Sequence, residues 1–92
     1  MDKSITKGII SELINIAVEK CGYKDTIPDI QIDSTISESF GFDSLSFMDF
    51  IAAVEEHYSI VFRDDITFEE LNTVFSLIKE IIYEKNNNST LP

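Results

Sequence analysis

Basic residues are scarce in this chain: seven Lys and Arg stand against 17 Asp and Glu, for a net charge of −10. Nucleic acid and anionic membrane would both repel such a surface, so the expected partner is a basic protein. The chain also has a single cysteine, Cys21. It can form no internal disulfide and has no second Cys nearby for a thiolate metal site, which points to a reducing, cytoplasmic home. There is no basic-then-apolar leader and no apolar run long enough to span a bilayer, so neither export nor membrane insertion is signalled. Ninety-two residues with 43% hydrophobic content suffice for one core but not for a sizeable enclosed substrate chamber, and an enzyme is not expected.

What is present is mostly helical periodicity. Ile5, Ile9, Leu13, Ile16 and Ala17 fall on one helical face, and Gly22 is a stop signal. Residues 23–40 lose that period. Pro28 and scattered Asp and Ser surround Ile27, Ile30, Ile32 and Ile36, which reads as a long loop pinned by apolar anchors, longer than most. Residues 45–58 form a second helix with two apolar stripes. Phe47, Phe50, Ile51, Val54 and Tyr58 make one side; Leu45, Met48 and Ala52 lie on another, beside Asp49, Glu55 and Glu56. The same stretch contains three acids and no Lys or Arg. An apolar strip rimmed by acids is either a widened core contact with a solvated flank or a docking surface, and the docking reading is favoured.

Ile60-Val61-Phe62 has no partner for strand pairing and reads as a core-plugging connector. Residues 64–71 suit a short helix. Thr73 is placed to cap a last helix whose Val74, Leu77, Ile78 and Ile81 face inward. The fold expected is all-α: a bundle of three longer helices plus one short helix, with a long loop between the first two long helices. The domain is expected over residues 1–85, with 86–92 as a flexible tail. Charge is uneven, since residues 38–84 hold 11 acids against Arg63 and Lys79, whereas residues 1–37 hold six acids against four lysines.

Gly41-Phe42-Asp43-Ser44-Leu45 opens the second long helix. A helix start offers unpaired N–H groups and the positive end of the dipole, which suit a phosphodiester. Taken alone, Ser44 or Asp43 could equally be an N-cap. With Glu55-Glu56 and Leu71-Asn72-Thr73-Val74 following in order, however, the chain resembles acyl carrier proteins over about residues 5–82. That resemblance implies covalent 4′-phosphopantetheine on Ser44, with Asp43 assisting the transferase that installs it. It also implies a partner-binding face at Leu45, Met48, Asp49, Ala52, Glu55 and Glu56. Ser46 stands where housekeeping carriers often have an acid, and Arg63 where proline is common. The many phenylalanines, Phe42 and Phe68 among them, fit a specialised pathway.

The function so implied is a discrete, monomeric carrier of fatty or polyketide-type acyl groups. Its partners would be a phosphopantetheinyl transferase, an acyl- or aminoacyl-loading ligase or transferase, and synthase enzymes with basic patches. Aminoacyl, peptidyl and D-alanyl cargoes, or an acidic helical adaptor with no prosthetic group, are the alternatives. A Gly-Asp-Ser-Leu hydrolase is set aside because Phe42 replaces the glycine and the sole histidine, His57, lies within the same helix as the serine. Asp43, Asp49 and Glu55 make no calcium loop, because Leu45 and Phe47 occupy positions that need oxygen ligands, and no metal is expected.

Acid crowding strains the folded state. Raising salt from about 0.01 M to about 1 M shortens the screening length from about 30 Å to about 3 Å. The melting temperature, followed by circular dichroism, is expected to rise over that range; a flat response would contradict a repulsion-limited fold.

Overall fold

Three apolar stripes meet along one axis and decide the architecture. The computed structural model describes residues 3–88. Its elements are α1 (Lys3–Cys21), α2 (Ile36–Phe40), α3 (Ser44–Tyr58), α4 (Phe68–Asn72) and α5 (Val74–Asn88). Ile9, Leu13, Ile16 and Ala17 of α1 face Phe47, Phe50, Ile51 and Val54 of α3, and Val74, Leu77, Ile78 and Ile81 of α5 close the core. The α3 and α5 sets follow i, i+3, i+4 and i+7 spacing and the α1 set i, i+4, i+7 and i+8, the stripe a helix needs to bury one side. Among the described residues no strand forms, and a single antiparallel bridge joins Thr35 to Thr73.

Helix ends are set by local chemistry. Gly22 adopts a left-handed φ of 72° and stops α1; Gly41, at φ 69°, does the same for α2. Ser59 ends α3 in the same left-handed region at φ 56°, and its N–H returns to the Glu55 and Glu56 carbonyls. The chain then doubles back so that Ile60 and Phe62 enter the core while Val61 stays 74% exposed, the connector expected. Thr67 caps α4, accepting from the Glu70 N–H at 3.1 Å while donating to the Glu70 carboxylate at 3.2 Å. The spacing is that of a capping box, but the Glu70 carboxylate meets the Thr67 hydroxyl rather than the Thr67 backbone N–H.

The segment between α1 and α3 departs from a plain loop. It contains α2, and of its four isoleucines only Ile30 and Ile36 are buried; Ile27 and Ile32 are exposed. Hydrogen bonds therefore do much of the anchoring. The Asn72 side chain accepts from the Ser37 N–H at 2.8 Å and donates to the Ser37 hydroxyl at 2.9 Å. The first N–H groups of α5 are answered by the loop, Val74 by Ser34 O and Phe75 by Ile32 O. Thr73 precedes α5, but its hydroxyl donates back to Glu69 O at 3.4 Å, so it is no side-chain cap for the last helix.

One further expectation shifts. Ile5 is 53% exposed, near the start of an α1 that, at about 28 Å, is longer than the α3 it packs on, at about 22 Å. At the other terminus α5 runs on to Asn88, and residues 89–92 of the tail expected over 86–92 lie outside the described residues.

Replacing Asn72 by Ala leaves the Ser37 N–H without its partner in a half-buried setting. A loss of about 1–3 kcal/mol is expected in urea unfolding, with the melting temperature falling by about 4–8 °C per kcal/mol. An unchanged midpoint would show that the loop is held by packing alone.

Candidate functional site

Gly41 turns the chain out of α2, and three residues later α3 begins. Asp43, with extended backbone at φ −82° and ψ −176°, is the N-cap: its Oδ1 accepts from the Ser46 N–H at 2.8 Å, and its carbonyl accepts the first helical bond from Phe47 at 2.9 Å. Ser44 is therefore the first residue inside the helix. It is solvent-exposed, and among the described residues nothing holds its hydroxyl. The choice the sequence left open between Asp43 and Ser44 as cap falls to Asp43. The Ser46 N–H bond keeps the Asp43 carboxyl below its ordinary value.

An aromatic floor supports this turn. Phe40 stacks on Phe42 with centroids 5.3 Å apart, Phe42 lies 5.6 Å from Phe50, and Tyr23 meets Phe40 edge-on at 5.1 Å. Phe47 contacts Phe68 edge-on at 4.8 Å. Offset and edge-on contacts of this kind add specificity beyond area burial. Phe42 is thus a packing residue that holds the loop down two positions before Ser44.

Along the outward side of α3, Leu45 is 79% and Met48 53% exposed, and Ala52, Asp49 and Glu56 are open to solvent as well. Glu55 is different. It is half-buried, and its Oε2 accepts from the Phe62 N–H at 2.8 Å, which pins the connector after the Ser59 turn. Periodicity along one helix could not show this, because the partner comes from beyond the helix end. His57 Nε2 lies 3.0 Å from Glu12 Oε2 and ties α3 to α1, far from Ser44 along the helix. The Tyr58 hydroxyl is buried close to Glu12, and burial, followed by the Glu12 charge, raises its pKa. Among the described residues no group of His, Cys, Asp and Glu could hold a metal ion.

An exposed serine hydroxyl at the head of a 15-residue helix, with no acid in the first turn, is chemically suited to carry a phosphate ester. The family model described as "phosphopantetheine attachment site" matches residues 9–81. The chain belongs to that family.

A domain of this phosphopantetheine-binding family is a site of covalent 4′-phosphopantetheine attachment and not an enzyme. A solved structure of an acyl carrier protein from Thermotoga maritima superposes with a TM-score of 0.71 at 24% identity, covering 96% of this chain and 99% of that one. The likeness shows a shared fold, with three long helices and an extended segment between the first two. No curated protein sequence matches the chain. Among the described residues no helix is long and apolar enough to cross a membrane.

The Asp43 cap carries a pH signature. Its folded-state pKa lies below the unfolded value, so the charged carboxyl contributes stability in full above the unfolded value, and this is lost as pH falls through the folded one. Asp43→Ala is expected to be less stable than the parent at pH 7. The gap should narrow as pH drops below the ordinary value of 3.8, read as paired urea midpoints across that range. A gap independent of pH would assign the effect to something other than the carboxylate.

Proposed function

We propose that Ser44 bears the 4′-phosphopantetheine and that the chain is a discrete carrier of acyl groups moving between partner enzymes. The observation that carries this reading is the division of labour at the head of α3: Asp43 caps the helix, which leaves the Ser44 hydroxyl exposed and unengaged. When attached, the group supplies a terminal thiol that holds cargo as a thioester. Everything else is done by the chain's own residues. Ser44 Oγ provides the ester oxygen, the N–H groups of the first turn favour the adjacent phosphate charge, and Phe40, Phe42 and Phe50 keep the turn from shifting. Asp43 is the proposed accessory to modification.

Partner enzymes would meet Leu45, Met48 and Ala52 with an apolar contact and Asp49 and Glu56 with basic side chains. Glu55 offers less than a free carboxylate because it is bonded to Phe62 N–H. Exposed ion pairs of about 0–1 kcal/mol each suit a carrier that must leave after every step, and the net acidity speeds encounter with basic surfaces. A phosphopantetheinyl transferase, a loading enzyme and synthase components are the partners proposed. An acyl cargo, fatty or polyketide-type, is favoured over an aminoacyl one by Phe42, which occupies the position where peptidyl carriers often have a second glycine. The proposed domain spans residues 1–85, acting as a cytoplasmic monomer.

Incubation with coenzyme A, magnesium and a broad-specificity phosphopantetheinyl transferase, followed by intact mass, tests the attachment. The parent chain is expected to gain one phosphopantetheine and Ser44→Ala none. No gain by the parent, while a known carrier in the same tube is modified, would favour the unmodified acidic adaptor. Gain by Ser44→Ala would move the site to another hydroxyl.

A further inference from the structure

We infer that a second docking surface, opposite in character to the α3 face, runs from the start of α1 over the outer side of α5 and accepts an acidic amphipathic helix of a protein partner. A groove of about 560 Å³ is walled by Ile10, Ile32 and Phe75, with Lys3 and Lys7 at its rim. Phe75 is also a wall of a neighbouring groove of about 380 Å³, shared with Lys79, Ile82 and Tyr83. Two apolar troughs separated by one aromatic ridge match the spaced anchors of a helix better than a single small ligand does.

The charge on this surface selects the partner. Three of the chain's seven basic residues, Lys3, Lys7 and Lys79, line these two grooves, in a protein with 17 acids; Arg63, in the adjoining groove, is already paired with Glu80 at 3.2 Å and lies 3.7 Å from Asp65. Among the described residues Lys3, Lys7 and Lys79 form no ion pair. Asp29, which lines the first groove, receives the Gln31 amide at 2.9 Å instead. Lys79 lies over the Phe75 ring at 5.2 Å and Arg63 over the Tyr83 ring at 5.7 Å, so the cations and the apolar walls form one surface. Lys3 opposes the dipole at the start of α1 and repels Lys7 one turn on, so helix energetics do not account for the pair. A lipid surface would face the repulsion of the whole molecule at −10, whereas a single acidic helix would meet mainly the local lysines.

The two surfaces can be occupied together. The His57–Glu12 contact and the nearness of Cys21 to Asp49 run α1 antiparallel to α3, so Lys3 and Lys7 lie beyond the end of α3 opposite Ser44. This inference is independent of whether Ser44 is modified.

The test is a ¹⁵N NMR titration of the full chain with two synthetic helical peptides that share one leucine stripe, flanked in one by Glu and in the other by Lys. The Glu peptide is expected to give saturable shifts at residues 3–10, 31–32 and 75–83. Its affinity should weaken at least tenfold in Lys3→Glu/Lys7→Glu, and also in Lys79→Glu, which guards against a folding defect in the double variant. Shifts confined to α3, no saturable shift in those segments, or undiminished binding by both variants would overturn the proposal. So would decanoate alone reproducing the same shifts at equal affinity, which would make this a site for small amphiphiles.

Discussion

Backbone polarity in residues 22–43 has to be satisfied somewhere, and the junction of α4 and α5 satisfies much of it. Asn72 holds Ser37 through two hydrogen bonds, and the carbonyls of Ile32 and Ser34 take the N–H groups that α5 would otherwise leave unpaired. One set of contacts thus completes a helix start and fixes a long crossover. Since α2 leads through Gly41 directly into Asp43, the placement of Ser44 depends on bonds made some thirty residues further along the chain.

The acidic excess works in the opposite direction. Residues 38–84 carry most of it, and few of their acids have a cationic partner: Glu80 pairs with Arg63 at 3.2 Å, and Asp65 lies 3.7 Å from the same guanidinium. Core packing of the three stripes must outweigh that repulsion, and the deep burial of Phe47, Phe50, Val54, Val74, Leu77 and Ile78 shows where the compensation lies. The same unpaired charge gives the molecule its long-range attraction for basic surfaces.

The long helices were legible because their inward residues repeat at i, i+3, i+4 and i+7, a signal carried within each segment. The connector at Ile60-Val61-Phe62 and the stop at Gly22 were legible for the same local reason. What escaped depends on distant partners. α2 is five residues long, too short for a repeating stripe to announce it, and it is held by burial of Ile36 and Phe40, the Gly41 cap and the bonds to Asn72. Glu55 looks like a surface acid until the left-handed turn at Ser59 brings the Phe62 N–H back to it. Ile5, Ile27 and Ile32 are as apolar as their buried neighbours, and their exposure is set by where the rest of the chain packs, which no local pattern carries. The Thr67 cap and its contact with Glu70 were present in the sequence as a Thr-x-x-Glu spacing. At the functional turn, the order of Asp43 and Ser44 was readable; which of them caps α3 was decided by backbone dihedrals.

Under the proposed attachment at Ser44, that last detail separates loading from folding. The hydrogen bond that starts α3 runs from the Ser46 N–H to Asp43, so chemistry at the Ser44 oxygen breaks no contact on which the helix relies. With the arm on Ser44 as proposed, charged and empty forms would present nearly the same surface along α3, and a partner that must tell them apart would have to feel for whatever hangs from the serine.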